Sequence, residues 1–185
     1  MTDSPLNSLP SNFSFKIRPG QFSDVPAISK AYAQAWRETY QGTAPPAFVD
    51  GMTEAAAAGL FQESFRPNRY CYFLYVAEVE GRIVGFADGG KERSRPESGE
   101  GELYAIYLLR EFQGKGVGRE LFRASLVQLN RSELSPVVVW VLEENPHRKF
   151  YESLGGTLGL DRKKLKVQEA GITLIPYRWT LSAKK

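Results

Sequence analysis

The segment ELYAIYLLREFQGKGVGRELF, residues 102–122, passes from an apolar run into a glycine-rich turn and then into residues of helical periodicity. The run Glu102 to Leu109 predicts a strand, and Val117, Leu121, Leu126 and Leu129 mark the inward face of a helix reaching about Asn130. Between them lies Gln113-Gly114-Lys115-Gly116-Val117-Gly118. Free N–H groups at a helix N-terminus carry partial positive charge and bind phosphates, and glycines let such a ligand approach the backbone. The spacing matches neither of the commonest phosphate loops: G-x-x-x-x-G-K-S/T is absent, and glycines two apart do not give G-x-G-x-x-G. Arg110, Lys115, Arg119 and Arg123 add positive charge, opposed locally by Glu111 and Glu120. A flexible turn with a solvated helix face is the plainer alternative.

Upstream, residues 1–12 are rich in Ser, Pro and Asn and read as a loose tail, leaving 13–185 as a single domain. Structure is expected to begin near Phe13, with a first strand at FKIRP, Phe15 to Pro19, then a helix roughly from Val25 to Tyr40 that Gly42 stops. Pro45-Pro46 forces a break, after which Thr53 caps a second helix to about Phe65. Tyr72 to Val79 and Ile83 to Ala87, on either side of Glu80-Gly81-Arg82, form a hairpin, and the polar stretch Gly89 to Gly101 reads as an exposed loop.

Downstream, Val137 to Leu142 is apolar without alternation, as in a strand covered on both faces. Asn145-Pro146 places an N-cap before a proline at the first helical position, so a short helix is expected over Pro146 to Leu154. Two last strands are expected around Thr157 to Val167 and Ile172 to Leu181. The order defines a mixed α/β sheet with helices on both faces.

With 185 residues, 42% hydrophobic and 24% charged, the composition is that of a globular domain and excludes disorder, collagen and coiled coil. The longest apolar runs, Ala55 to Phe61 and Val137 to Leu142, are far short of the roughly 18 residues of a membrane span. One cysteine, Cys71, and one histidine, His147, exclude an internal disulfide and a zinc cluster, which points to a cytoplasmic protein without a structural metal. The net charge of +3 is uneven: residues 1–147 carry 15 basic and 18 acidic groups, and 148–185 carry 9 and 3. The C-terminal excess reads as a solvated basic edge; nucleic-acid binding would call for a denser stripe with interleaved aromatics.

The 102–122 segment resembles the acyl-CoA-binding motif of the GNAT N-acetyltransferase superfamily, Gln/Arg-x-x-Gly-x-Gly/Ala after a strand, filled here by Gln113, Gly116 and Gly118. The segment VLEENPHRKFYESLGG, residues 141–156, is similar to the family's second motif through Asn145, Phe150, Tyr151, Glu152 and Gly155. Residues 36–40, Trp-Arg-Glu-Thr-Tyr, also look like an N-terminal element of that family. One spacing departs from it: Asn145 to Tyr151 is six residues where many relatives have seven.

The resemblance implies a mostly antiparallel sheet of about seven strands with a V-shaped splay between two parallel strands, Glu102 to Leu109 and Val137 to Leu142. It implies transfer of an acetyl group from acetyl-CoA to a primary amine of a small molecule, amino acid or peptide. The pyrophosphate would lie on the backbone of Gln113, Gly114, Lys115, Gly116, Val117, Gly118 and Arg119. Ile106, Tyr107 and Leu108 would contact the pantetheine, the Leu108 N–H would reach the thioester oxygen, and Asn145 would complete the cofactor site.

Tyr151 is the candidate acid for the departing thiolate, with His147 as rival and a core role as the alternative. Glu102 is the candidate base, because strand alternation puts it on one face with Tyr104, Ile106 and Leu108. Glu143, Glu144 or solvent are alternatives. Trp36, Tyr40, Phe86 and Tyr104 are candidate acceptor walls or core, and Glu38, Asp88 and Glu102 could attract an ammonium group. A non-catalytic acyl-CoA sensor is the competing reading. Exposed sheet edges leave a homodimer open.

Overall fold

The computed structural model describes residues 13–65, 72–167 and 170–181; the expected tail over residues 1–12 and Cys71 lie outside them. The chain runs β1 (Lys16–Pro19), α1 (Val25–Tyr40), α2 (Pro46–Asp50), α3 (Glu54–Ser64), β2 (Phe73–Val79), β3 (Arg82–Lys91), β4 (Gly101–Leu108) and α4 (Val117–Arg131). It continues through β5 (Val137–Leu142), α5 (Arg148–Ser153), β6 (Thr157–Leu158), β7 (Lys163–Val167) and β8 (Ala170–Trp179).

Local chemistry sets these bounds. Helix α1 has a proline in its first turn and buries Val25, Ile28, Tyr32 and Ala35 at three- and four-residue steps. The Thr53 hydroxyl accepts the Ala56 N–H at 3.1 Å and starts α3. Helix α2 was not expected. Pro46 stands in its first turn, where a missing N–H leaves nothing unsatisfied, so the proline pair opens a helical turn instead of only closing one. The expected helix from Pro146 begins instead at Arg148: the Asn145 side-chain oxygen accepts the His147 N–H at 2.8 Å and closes a turn ahead of it. The expected strand Thr157 to Val167 is divided into β6 and β7.

The eight strands pair in the order β1-β2-β3-β4-β5-β8-β6, with β7 also on β8. Strands β6 and β7 pair different stretches of β8, Tyr177 and Arg178 against Ala170 to Leu174, so the sheet is seven positions across. All pairings are antiparallel except β4 with β5. That pair holds register only at Gly101–Val137 and Glu102–Val138, and from Leu103 onward the strands separate. This is the splay the resemblance implied.

Strand β3 runs three residues into the stretch expected to be loop, through Gly89, Gly90 and Lys91. The glycines fit close strand contacts: a Cβ on Gly89 would lie 2.5 Å from the Glu102 carbonyl oxygen and 2.8 Å from the Phe73 ring. Here the β3–β4 ladder slips, because Asp88 faces Ala105 and Gly89 faces Leu103, leaving Tyr104 as an extra residue.

Two packed layers flank the sheet. On one face Val117, Leu121 and Leu129 of α4 and Tyr151 of α5 join Leu103, Val137, Val139 and Val141. On the other, Val25, Ile28 and Tyr32 of α1 and Ala57 and Phe61 of α3 cover Val76, Ile83 and Phe86. Each such fully buried valine, leucine or phenylalanine contributes about 1.5–3 kcal/mol. No helix among the described residues is long and apolar enough to cross a membrane.

Candidate functional site

The splay between β4 and β5 opens into a cavity of about 470 Å³. Its walls are Tyr104 to Leu108 from β4, Val139 to Val141 from β5, Thr39 and Tyr40 from α1, and Asn145, His147, Phe150 and Tyr151 around α5. The glycine turn forms one end through Gln113, Gly114, Gly116, Gly118 and Arg119. Ten of the thirteen candidate site residues therefore line one cavity. Glu102, Lys115 and Val117 are not among its lining residues.

The turn is built to leave donors free. Gly114 and Gly116 have φ of +71° and +84°, the left-handed region that favours glycine. Gly116 caps α4, and the first bond of the helix runs from the Glu120 N–H to the Gly116 carbonyl at 3.1 Å. Among the described residues, no protein acceptor takes the N–H groups of Gly114, Lys115, Gly116, Val117, Gly118 or Arg119. Six successive donors at the positive end of a 15-residue helix make an anion cradle. Val117 contributes backbone there while its side chain is fully buried, and the Lys115 ammonium lies over Phe13 and Phe112 at 5.2 and 5.6 Å. The Gln113 side-chain amide donates to the Leu108 carbonyl at 3.0 Å.

Tyr40, Tyr104, Tyr107 and Tyr151 line the same cavity. The Tyr40 and Tyr107 hydroxyls are 3.2 Å apart, and Asn145 donates to Tyr40 at 3.4 Å. The Tyr151 ring stacks on Tyr177 with centroids 5.6 Å apart. Burial pushes the phenols of Tyr40, Tyr107 and Tyr151 above the usual tyrosine value, so all three hold their protons at neutral pH. His147 moves down, through burial and then the Arg110 charge, and is a neutral imidazole at neutral pH.

The expectation that Glu102 shares a face with Ile106 and Leu108 is corrected by the bulge at Tyr104, which inverts the alternation. Leu103, not Glu102, packs in the cluster with Ile106 and Leu108, while Ala105 and Tyr107 lie with Tyr32 and Phe86. The Glu102 side chain is 1% exposed and both its oxygens are engaged: Arg93 Nε and Nη2 donate to Oε1 at 3.1 and 2.5 Å, and the Arg93 N–H donates to Oε2 at 2.9 Å. Glu38 is similarly tied, accepting from Gln34 Nε2 and from the Arg110 N–H, each at 2.8 Å.

Of the four candidate acceptor walls, Tyr40 and Tyr104 line the cavity; Phe86 is buried core and Trp36 donates to the Phe48 carbonyl. Sequence reading passed over Trp140, which lines the cavity with Lys163 Nζ 3.9 Å from its ring. The strand Val137–Leu142 read as uniformly apolar, and the one large aromatic in it was the available signal.

A splayed parallel strand pair, with a glycine turn opening the helix beyond it, defines the acyl-transferring class outlined from the sequence. The profile of the Acetyltransferase (GNAT) family matches residues 30–156, and the chain belongs to that family as a GNAT-type N-acetyltransferase. It is 34% identical over 138 residues to the "Uncharacterized N-acetyltransferase YuaI" of Bacillus subtilis (strain 168), covering 74% of this chain and 77% of that one. In fold it is similar to an N-acetyltransferase from Staphylococcus aureus Mu50, with TM-score 0.71 and 20% identity over 91% and 99% of the two chains. The yncA protein of Salmonella typhimurium, solved with acetyl-CoA, gives TM-score 0.64 and 22% identity over 92% and 95%.

Proposed function

We propose that the protein transfers the acetyl group of acetyl-CoA directly to a primary amine of a small molecule, amino acid or peptide. The observation that carries this reading is the run of backbone N–H groups over 114–119 that no protein acceptor takes, on a turn that lines a cavity also lined by the protonated Tyr151. The residues fit the cosubstrate. The donors suit the pyrophosphate, the gap between β4 and β5 suits an extended arm that pairs with strand backbone, and the thioester then falls near Leu108 and Tyr151.

Acetyl transfer needs a neutral amine, stabilisation of the oxyanion and a proton for the thiolate. The Leu108 N–H serves the oxyanion, a donor that gains most as negative charge forms on the thioester oxygen. Tyr151 serves the sulfur. Its raised pKa keeps it in the donor form but makes complete transfer to a thiolate, conjugate acid near about 8.5, more uphill than from an ordinary phenol. Its contribution is therefore a hydrogen bond that becomes proton donation only as the carbon–sulfur bond breaks. The test is thiol release from acetyl-CoA across a panel of primary amines, with the acetylated product identified by mass.

A further inference from the structure

The reaction also needs a base for the proton that the attacking nitrogen sheds. The geometry points to His147 as the catalytic residue that takes this proton, an inference that rests on the transfer reading above.

Among the described residues, no carboxylate and no lysine lines the cavity. The titratable side chains on its walls are those of Tyr40, Tyr104, Tyr107, Tyr151, Arg119 and His147. Phenols and guanidinium groups hold their protons at neutral pH, so the imidazole is the one side chain there with a nitrogen ready to take one up. Glu102 and Glu143, on or next to the two strand walls, are engaged by Arg93 and Arg162 and line no part of the cavity.

The placement of His147 agrees with this role. The Asn145 side-chain oxygen accepts its N–H at 2.8 Å, and its carbonyl accepts the Phe150 N–H at 3.0 Å, so the backbone is pinned in the turn ahead of α5. Asn145 is in turn tied to the Tyr40 hydroxyl at 3.4 Å. The ring is left free: among the described residues no hydrogen bond or ion pair engages it. Tyr151 lines the same cavity four positions on, and residues so spaced stand about one helical turn apart, roughly 5–6 Å between Cβ atoms. A nitrogen attacking a thioester whose sulfur lies at Tyr151 is therefore within reach of the imidazole, directly or across one water. His147 is also exposed, so a proton that it gains can pass to bulk water.

The charged group facing the ring is Arg110, beyond β4, whose N–H and guanidinium are both held by Glu38 near the end of α1. Tyr40 of α1, Tyr107 of β4, Tyr151 of α5 and Arg119 of α4 share the cavity with it. Partial burial and then the Arg110 charge lower the imidazole pKa, which keeps the ring in its accepting form at neutral pH.

In the step, the lone pair of R–NH2 bonds to the thioester carbon and the carbon–oxygen π pair moves to oxygen. A proton leaves the nitrogen for the unprotonated ring nitrogen of His147. The pair on oxygen returns as the carbon–sulfur bond breaks, and the thiolate takes the Tyr151 proton. The imidazolium gives its proton to solvent and the tyrosinate recovers one from it, leaving the amide and CoA thiol.

The test is kcat against pH, at saturating acetyl-CoA and the best amine of the panel, for wild type, His147→Gln, His147→Ala and Arg110→Gln, beside acetyl-CoA affinity by calorimetry. Wild type is expected to rise to a plateau along a limb centred below about 6.5. Both His147 variants are expected to bind acetyl-CoA normally, to fall about 100-fold or more on the plateau and to lose the limb. Added imidazole should restore His147→Ala in proportion to its free-base concentration, a rescue that a residue serving only to shape the turn would not show. Arg110→Gln removes a charge that lowers the His147 pKa, so its limb should move to higher pH. A limb that persists in His147→Gln or stays put in Arg110→Gln, or an absence of rescue in His147→Ala, overturns the assignment of His147 alone. Weaker acetyl-CoA binding at unchanged kcat would make His147 a cosubstrate contact and overturns it too. Absence of thiol release by wild type with every amine overturns the transfer reading and this inference with it.

Discussion

The side-chain amide of Gln113 donates a 3.0 Å hydrogen bond to the carbonyl oxygen of Leu108. The first residue of the glycine turn thereby holds the end of β4, so the phosphate cradle and the proposed oxyanion donor are fixed to one another. Replacing Gln113 with Ala removes a hydrogen bond worth about 0.5–1.5 kcal/mol. The expected result is a roughly 2- to 10-fold loss in kcat/KM for acetyl-CoA with little change in melting temperature, measured by steady-state thiol release and calorimetry.

Gly116 is the N-cap of α4 at φ +84°, with no atom within 4 Å of where a Cβ would stand. Its cost on substitution is therefore conformational. Gly116→Ala should lose about 1–2 kcal/mol of stability, a fall of about 2–8 °C in Tm for a chain of this size. Weaker acetyl-CoA binding should accompany it, because a methyl group then occupies the face the pyrophosphate approaches.

Tyr151 is 8% exposed, and the ring alone fills its place against Phe150, Tyr177 and Trp179. Phenylalanine keeps that packing and deletes only the hydroxyl. Tyr151→Phe should lower kcat about 10- to 100-fold while the KM for acetyl-CoA stays close to wild type. A variant with unchanged kcat would leave Tyr151 as a core residue.

Asp88 links pH to stability. Its carboxyl titrates at about 7 in the folded chain, above the roughly 3.9 of an exposed aspartate, so the folded state binds more protons between those values. Stability from this group is thus greatest at the acid end of the window, falls as pH rises through it and is lost above about 7. Asp88→Asn cannot ionise and should melt higher than wild type at a pH of about 8, with the difference vanishing as the pH falls towards about 4. Thermal melts of the two proteins across that range measure it.

How much of this was legible in the sequence depended on the kind of signal. Helix α1 and strand β5 were placed residue for residue, because Ile28, Tyr32 and Ala35 recur at helical steps and Val137 to Leu142 is an unbroken apolar run. The glycine turn was legible for the same reason: its conformation is written in residue type. Strand β3 was cut short because Gly89 and Gly90 read as loop, whereas close packing against β4 and Phe73 requires them. The bulge at Tyr104 left no local mark, since nothing in Glu102 to Leu108 tells which residue its partner strand will skip. From that one slip followed the wrong face for Glu102, whose carboxylate pairs with Arg93 instead of sharing a face with Ile106 and Leu108. Asp88, named from sequence only as an attractor for an ammonium group, gained its position from a pairing with Ala105 that is 17 residues distant in the chain.

The central claim is that this cavity moves an acetyl group from acetyl-CoA to a primary amine, and it is tested most directly by following free thiol with wild-type protein, acetyl-CoA and a broad amine panel. Amine-dependent thiol release, matched mole for mole by N-acetylated product, is the predicted result. Tight acetyl-CoA binding with no release above the protein-free rate for any amine would contradict it and leave a protein that holds acyl-CoA without using it.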